Sequence, residues 1–378
     1  MEHLRGTGEQ LLDDAVGAIR GLPGGPPGVV VATSSGGRMR WSAAGWAQKF
    51  DDRGLIAEPP PIDVDTATDL GSVTKLVATT AALMVLFDRG ELDLTAPLTE
   101  LLPWVGGTPV AGATVRRLLE HRGGLWEWWP TYLEPENALG LIADLPLRYR
   151  PDEARHYSDL GFLLLGAVVA ELTGGTLDDA VGRLVLEPIG LPHTRYAGPT
   201  PGSVVAASSS GDRIEREMVR TGVPYPVPLS GEGFPGWRDH VLVGEVNDGN
   251  AFHSFGSVAG HAGLFSTARD LLAFGDAVLH SLDGGGFVSA ATARRFNDPG
   301  SDPTQALGGR IWSARGRKAW GHTGFPGVAL AILPDLATSV VLVTNRLHVA
   351  GTPVPTEPSW THVLDVVADI VAQEGDPA

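Results

Sequence analysis

The sequence predicts an α/β (α+β) fold in which an antiparallel sheet is flanked by terminal helices and interrupted by a large helical insertion. Two observations support this class. Segments with strand character cluster near the two ends of the chain, while residues 110–285 are mostly helices joined by loops rich in Gly and Pro. If the terminal strands pair in one sheet, the helical block is an insertion into it. We therefore predict a single domain over residues 1–378, with an α/β half at about 1–71 and 288–378 and a mainly helical half at about 72–287.

Local patterns predict the elements in order. Residues 8–21 have helical spacing and end at a Pro- and Gly-rich stop, and residues 28–47 predict two strands around a Ser-Gly-Gly turn. A buried helix is expected from Ser72 to about Asp88, because its apolar residues surround the helix axis. The later predicted elements are helices at 113–121, 158–172, 266–281 and 359–374, and strands at 316–324, 327–333 and 338–346.

Residues 197–256 differ from the rest of the chain. They contain many Gly, Pro and Ser residues and show almost no hydrophobic periodicity. A segment of this length without regular structure inside a compact domain is usually a lid or the wall of a site. We therefore expect this long loop to cover a functional site.

Composition excludes several classes of function. The net charge of −16 argues against nucleic acid or an anionic membrane as a partner, since both are bound by basic surfaces. The chain has no cysteine, which rules out disulfides, cysteine nucleophiles and thiolate metal sites. No apolar run reaches the ~20 residues of a membrane span. The first twenty residues lack the apolar core of a secretory signal, so we expect a cytoplasmic protein.

The stretch "GSVTKLVATT" carries the first candidate chemistry. Ser72 and Lys75 stand one helical turn apart on the same face, in a chain that has three lysines and twenty-five arginines. A serine hydroxyl is a weak nucleophile until a neighbouring base takes its proton, and lysine, unlike arginine, can lose its own proton when desolvated. Unpaired N–H groups at the start of the helix would also stabilise developing negative charge. This spacing predicts a nucleophilic serine with a lysine partner.

Two further motifs strengthen this interpretation. "RHYSDLG" places Tyr157 and Asp159 just before a buried helix, and "AWGHTGFPG" places His322, Thr323 and Gly324 at a strand edge. The ordered set, S-x-x-K, then Y-x-D about eighty residues later, then H-T-G near the end, resembles the penicillin-recognising serine enzymes. It is most similar to the class C beta-lactamase and esterase branch, whose second motif begins with tyrosine. Further similar segments are "LLEHRGGL" (118–125), "LEPIGLPHT" (186–194), "AGHAGLFSTARDLLAF" (259–274) and "VVLVTNR" (340–346), and "GEVNDGNA" (244–251) resembles a stretch in a subset of related bacterial hydrolases.

The resemblance implies a role for each matching residue. Ser72 would be the acylated nucleophile, Lys75 its hydrogen-bonded partner, and Tyr157 the general base that also protonates the leaving group. The backbone N–H groups of Ser72 and Phe325 would form the oxyanion hole. The implied fold is that of the beta-lactamases and transpeptidases.

The sequence departs from this family's usual pattern at two positions. The second motif usually ends in Asn and the third begins with Lys, whereas this chain has Asp159 and His322. A carboxylate near Lys75 would favour its ammonium form, leaving base duty to a Tyr157 phenol that the lysine's charge keeps partly ionised. A mostly neutral histidine would weaken the anchor for substrate carboxylates, so we expect neutral or cationic esters and amides. The nearby Arg310, Arg315 and Arg317 are possible substitute anchors.

Other conspicuous residues have structural interpretations. Trp126 and Trp128 either form an aromatic substrate wall or pack under a loop. His121 and His261 lack partners at metal-ligand spacing and are interpreted as hydrogen-bonded packing residues. Three polar residues in one segment are interpreted as fastening their loop, with contact to the substrate as the alternative: Asn247, Asp248 and Asn250.

The predicted function is a serine acyl-enzyme hydrolase acting on a small ester or amide, with neither cofactor nor metal. The first alternative is a transacylase that passes the acyl group to an amine or alcohol. Beta-lactamase or D,D-peptidase activity is a third possibility, and a binding module without catalysis a fourth.

Overall fold

The computed structural model describes residues 7–134 and 137–374. The beginning of the segment on which the expectation of no secretory signal depends, residues 1–6, lies outside the described residues. The predicted single domain, residues 1–378, therefore has both its ends outside the described residues. The division of this domain into two halves stays a prediction.

The central element is a six-stranded sheet that joins the two ends of the chain. Its strands lie in the order β10-β11-β12-β13-β1-β2, and every neighbouring pair is antiparallel. These strands are β1 (Gly28–Ser35), β2 (Arg38–Gly45), β10 (Arg310–Ala314), β11 (Arg317–Thr323), β12 (Val328–Leu333) and β13 (Thr338–Thr344). The predicted pairing of the terminal strands in one sheet is therefore confirmed, and the segment between β2 and β10 connects the two edge strands of that sheet.

The sheet is covered on both faces, which explains its long apolar strands. Along β1 the side chains alternate between two buried cores, with Val30 in one and Val29 and Val31 in the other. The second core is completed by residues of the first and last helices, such as Leu12 and Trp360. The predicted arrangement of terminal helices against an antiparallel sheet is confirmed.

Short strands lie outside this sheet and shape the region around it. They are β3 (Phe50–Asp51), β4 (Gly54–Leu55), β5 (Thr68–Asp69), β6 (Arg195–Tyr196), β7 (Ala207–Ser210), β8 (Val241–Val243) and β9 (Leu264–Ser266). Strands β5, β9 and β6 form a small antiparallel sheet of their own.

The α-helices include those predicted from the sequence, at nearby positions, and further helices that were not predicted. They are α1 (Thr7–Arg20), α2 (Ala81–Asp88), α3 (Leu98–Leu101), α4 (Val115–Leu119), α5 (Ala138–Asp144), α6 (Asp159–Thr173), α7 (Leu177–Val181), α8 (Glu187–Ile189), α9 (Arg213–Thr221), α10 (Ala268–Leu282), α11 (Ala290–Asn297) and α12 (Thr356–Glu374). The buried helix expected after Ser72 begins with a wider π-helical segment, Lys75–Thr80, which continues into α2. All six residues of that segment are buried, as the surrounding apolar residues predicted.

The long loop expected over residues 197–256 contains regular structure that the sequence did not predict. Helix α9 lies within it, between β7 and β8. Most residues of α9 are charged and only Val219 is buried, so its apolar stripe, Ile214, Met218 and Val219, is short. We name residues 207–225 the roof, because they lie over the cavity described below.

No single helix in residues 7–134 and 137–374 has the length and hydropathy of a membrane span. One consecutive pair, Asp159–Thr173 with Leu177–Ile189, meets that test only jointly and is bent by 74°.

Candidate active site

Ser72 lies in the turn between β5 and the buried π-helical segment. The turn is fastened by Asp69, whose Oδ1 accepts a hydrogen bond from the Gly71 N–H at 2.8 Å. The Oδ2 atom of the same buried carboxylate accepts one from the Asn247 N–H at 2.6 Å. Burial raises the pKa of Asp69 to about 6. One carboxylate thus fixes both the turn that carries Ser72 and the segment across from it.

Lys75 connects the serine to a carboxylate. Its Nζ donates a hydrogen bond to Ser72 Oγ at 2.9 Å and lies 2.7 Å from Asp159 Oδ1. The Lys75 side chain is fully buried, and its third contact is the His261 carbonyl oxygen at 3.3 Å. The predicted proximity of Ser72 and Lys75 is therefore present in the structure.

Tyr157 and Asp159 are held at the start of α6. Ser158 caps this helix by accepting a hydrogen bond from the Gly161 N–H, and its own N–H donates to His121 Nδ1 at 3.0 Å. The Tyr157 ring packs against the His121 ring, with centroids 4.6 Å apart. Its phenol lies beside Lys75 and Ser72, and Lys75 Nζ is 5.0 Å from the centroid of the Tyr157 ring. The sequence-predicted triad of Ser72, Lys75 and Tyr157 is thus brought together.

The protonation state of Lys75 agrees with the expectation from the sequence, whereas that of Tyr157 differs from it. Burial alone would lower the pKa of Lys75, but the charge of Asp159 and the Tyr157 phenol outweigh it and raise that pKa, so Lys75 is an ammonium. Burial raises the pKa of Tyr157, against the lowering effect of Lys75 and together with the charge of Asp159. The expectation that Lys75 keeps the phenol partly ionised was wrong, because burial of the phenol outweighs the ammonium beside it.

The backbone N–H groups of Ser72 and Phe325 form a candidate oxyanion site. Gly324, after the end of β11, is packed so closely on the chain before Ser72 that a Cβ there would lie 2.1 Å from the Leu70 carbonyl oxygen. A Cβ on Gly71, which has a φ of +48°, would lie 3.3 Å from the Phe325 nitrogen. In the described part of the chain, the N–H groups of Ser72 and Phe325 have no hydrogen-bond partner. These N–H groups are therefore available to an oxyanion.

His322 is buried behind these groups. Its Nδ1 bonds the Thr323 carbonyl oxygen at 2.7 Å, which identifies Nδ1 as the protonated nitrogen. Burial and the charge of Lys75 lower the pKa of His322 to about 3, so the ring is neutral. The weak carboxylate anchor expected at this position agrees with a neutral, buried imidazole.

A cavity of about 610 Å³ opens onto the serine. Ser72, Tyr157, Asp159 and Phe325 line it on one side, and the roof closes the other side. Its apolar wall includes Trp128, Ile214, Met218, Val223 and Leu347. We call Ser72, Lys75, Tyr157 and Asp159 the catalytic floor of this cavity.

Two sequence expectations about substrate contacts are corrected here. Trp126 does not line the cavity, since its ring packs against Trp129 and Arg148 and its Nε1 donates to the Pro146 carbonyl oxygen; of the two tryptophans, only Trp128 faces it. Thr323 and Gly324 also lie behind the wall rather than in it.

The arginines proposed as substitute carboxylate anchors lie elsewhere. Arg310 pairs with Glu357 of α12, and Arg315 pairs with Asp369 of the same helix. Arg317 begins β11, roughly 17 Å along the strand from His322. None of the three lines the cavity that contains Ser72.

The remaining polar residues behave largely as interpreted. His121 accepts from Ser158, as described above. Asn247 donates through Nδ2 to the Ser209 hydroxyl, and Asn250 holds both Trp129 and Thr131, so these two asparagines fasten their loop.

Asp248 and His261 form a further pair at the floor. His261 Nε2 donates to Asp248 Oδ1 at 2.9 Å, and ligand atoms of Asp159, Asp248 and His261 lie within 4.8 Å of one another. Such a group resembles a metal-ligand set, but the Lys75 ammonium already neutralises Asp159 at 2.7 Å. We therefore assign the Asp159 carboxylate to the ammonium rather than to a metal ion.

Sequence reasoning missed the role of Asp69 and the helix α9 within the roof, although it expected the 197–256 segment to cover a site. Asp69 stands two residues before the glycine whose N–H it accepts, which is the spacing of an Asx turn and was available as a signal. The position of α9 over the cavity has no local signal, because it depends on the tertiary fold.

Comparison with known proteins gives the class of this fold and site. The model of the family described as "Beta-lactamase" matches residues 15–359, so the chain belongs to that family. It is a serine hydrolase of the beta-lactamase superfamily. An N-acetylmuramyl-L-alanine amidase of Bacillus subtilis (strain 168) is 32% identical over 362 residues, which cover 87% of this chain and 79% of the amidase.

Solved structures share the fold. The D-amino acid amidase from Ochrobactrum anthropi SV3, complexed with L-phenylalanine, superposes with a TM-score of 0.70 at 20% identity, covering 98% of this chain and 99% of the amidase. EstCE1, a hydrolase with promiscuous acyltransferase activity, superposes with a TM-score of 0.67 at 22% identity, covering 95% of this chain and 99% of EstCE1. The predicted resemblance to beta-lactamase-related serine hydrolases and the predicted fold class are confirmed.

Proposed function

We propose that this protein hydrolyses a small amide or ester through an acyl-enzyme on Ser72. The observation that carries the proposal is the position of Lys75 Nζ between Ser72 Oγ and Asp159 Oδ1, beside the Tyr157 phenol and beneath a cavity. The half-buried Ser72 hydroxyl is bonded to an amine and lies beside a phenol, so two groups can relay its proton.

The reaction is written in two steps. Ser72 Oγ attacks the carbonyl carbon while its proton passes to a Tyr157 phenolate, which the Lys75 ammonium stabilises. The N–H groups of Ser72 and Phe325 hold the oxyanion; the bond to the leaving amine or alcohol then breaks, and Tyr157 protonates the leaving group. Water repeats the sequence on the acyl-enzyme, which releases the carboxylic acid and restores Ser72.

The charge state of Tyr157 gives this mechanism a pH signature. Because burial raises the pKa of the phenol, only a small fraction is ionised at neutral pH. We therefore propose that kcat/KM rises with pH on the alkaline side of neutrality.

Amides are the favoured substrates within this proposal. The Bacillus relative and the Ochrobactrum structure are both named amidases. A neutral His322 and the Asp159 charge disfavour substrate carboxylates, which argues against penicillins. Acyl transfer to an amine or alcohol is the second candidate, because the roof covers the cavity and would let a bound acceptor compete with water.

Intact-mass measurement tests the proposal. The protein is incubated with a fluorophosphonate, a p-nitrophenyl ester and a penicillin, in parallel with Ser72→Ala. We expect a stable mass gain with the first compound, turnover of the second and little reaction with the third. Ser72→Ala should lose labelling and lower ester turnover by roughly 10⁵-fold, with unchanged thermal stability. Ester turnover that survives this substitution would contradict the assignment of Ser72.

A further inference from the structure

The carboxylates that line the cavity are not equivalent. Five of them face it: Asp159, Asp212, Glu215, Glu217 and Asp248. Asp159 is neutralised by Lys75, Asp212 by a buried ion pair with Arg238, and Glu217 by Arg220. Burial and the charge of Asp248 raise the pKa of Glu215, which therefore keeps its proton at neutral pH. Asp248 is the remaining lining carboxylate; its side-chain partner is the His261 ring at Oδ1, and in the described part of the chain no lysine or arginine forms an ion pair with it.

Asp248 is held rigidly, with one oxygen left free. Its Oδ1 accepts hydrogen bonds from the Ala251 N–H at 2.8 Å and from His261 Nε2 at 2.9 Å. His261 is fully buried, so this bond fixes the carboxylate plane. The Oδ2 atom has no partner in the described part of the chain, and about a quarter of the side chain, 24%, remains exposed to the cavity. The carboxylate is therefore oriented before any ligand binds.

Positive charge near the nucleophile is scarce. Lys75 is fully buried and shared between Ser72 and Asp159, and His322 is a neutral ring whose Nδ1 proton is used by Thr323. Arg213 is the basic residue of the cavity lining, and its exposed guanidinium turns to the Val349 carbonyl oxygen. Asp159 and Asp248 lie close together beside a single lysine, so carboxylates outnumber lysine and arginine groups in this part of the cavity.

We propose that the substrate carries a protonated amine near its scissile carbonyl, and that Asp248 Oδ2 binds this ammonium. The rest of the acyl group packs on the apolar wall formed by Trp128, Met218 and Val223. The substrate class is an amide or ester of an amino acid or peptide with a free amino group. This inference rests on the proposed acyl-enzyme at Ser72, and it makes Asp248 a specificity-determining residue.

Three matched anilides test the inference at neutral pH. They are alanine p-nitroanilide (each enantiomer separately), propionyl p-nitroanilide, which lacks only the amine, and succinyl p-nitroanilide, which adds a carboxylate. We expect kcat/KM for one alanine enantiomer to exceed that for the propionyl compound by about tenfold or more, because a charge-assisted hydrogen bond contributes that much. The succinyl compound should be the poorest.

Two variants separate specificity from structure. Asp248→Asn should bring the ratio of alanine to propionyl kcat/KM to about one, while Glu217→Gln, which changes a paired carboxylate of the same cavity, should keep the wild-type ratio. If Asp248→Asn does not fold, the pH dependence of the alanine-to-propionyl ratio in the wild-type enzyme still tests the inference. This ratio should fall as rising pH removes the amine proton, since Asp248 stays ionised.

The outcomes distinguish this inference from the proposed function. If a fluorophosphonate labels Ser72 but neither alanine anilide is preferred, the inference is wrong and the acyl-enzyme stands. A preference for the succinyl compound, or a ratio that survives Asp248→Asn, also overturns it. If Ser72 is not labelled, the proposed function fails and the inference with it.

Discussion

The catalytic floor and the roof of the cavity are built in different ways. On the floor, Lys75 is fully buried and Asp159 nearly so, and both stand at the ends of helices packed in the main core. In the roof, α9 buries a single residue, Val219, and exposes Arg213 and Glu217. Tertiary packing fixes the floor, whereas a few polar contacts fix the roof. This difference teaches that the two can be altered separately: changes in the floor should affect rate, and changes in the roof should affect stability and substrate choice.

The largest expected effect comes from the floor. Tyr157→Phe removes the phenol beside Ser72 and Lys75, so kcat should fall by about 10²–10⁴-fold, the usual contribution of a positioned general base. Steady-state kinetics on a p-nitrophenyl ester measure this effect. Tyr225→Phe is the matched control, because Tyr225 lines the same cavity as part of the roof. Near-wild-type turnover by Tyr157→Phe would show that another group carries the proton.

The next effect belongs to the roof. Arg238 is buried, pairs with Asp212 at 2.6 Å and donates to the carbonyl oxygens of Val246 and Asn247. Arg238→Ala leaves a buried carboxylate without its cation, so the free energy of unfolding should fall by about 3–5 kcal/mol, as measured by denaturant titration. The matched control is Arg220→Ala, since Arg220 forms an exposed ion pair on α9 and its loss should leave that free energy unchanged. Equal effects of the two substitutions would contradict the assignment of Arg238 as the main fastening of the roof.

A smaller effect concerns the pH dependence of the floor. The charge of Asp159 raises the pKa values of both Lys75 and Tyr157. Asp159→Asn removes that charge, so whichever group acts as base should lose its proton more readily. The rising limb of the pH profile of kcat/KM should therefore move to lower pH by roughly one to three units. Glu217→Gln should leave the limb in place, and a limb that moves to higher pH after Asp159→Asn would contradict this electrostatic account.

The sequence predicted the sheet and the floor well, and for a physical reason. Strands β12 and β13 are short apolar runs separated by a turn, and Ser72, Lys75, Tyr157 and Asp159 belong to motifs with fixed local spacing. The ionisation of Tyr157 was predicted wrongly because burial is set by tertiary contacts. The sequence predicted that the 197–256 segment covers a site but not its helix: α9 has Ile214, Met218 and Val219 on one face, but the helix is short and stands in a segment rich in Gly, Pro and Ser.

The roles of Asp248 and of the two tryptophans, Trp126 and Trp128, depend on tertiary contacts. Asp248 was interpreted as a loop fastener, which its Oδ1 contacts support, but its free Oδ2 faces a cavity that the sequence alone does not define. Likewise, nothing in the tryptophan-rich segment distinguishes Trp126 from Trp128, although only Trp128 reaches the cavity.

The bridge made by Asp69 has a consequence for exchanging parts between related enzymes. Its two oxygens accept the N–H groups of Gly71 and Asn247, which precede Ser72 and Asp248 respectively. The reacting hydroxyl and the residue proposed to choose the substrate therefore share one internal anchor point. If the 197–256 segment is replaced with that of a relative, the new segment must supply a backbone N–H group to the Asp69 carboxylate. Without this hydrogen bond, the exchange would also displace the turn that carries Ser72.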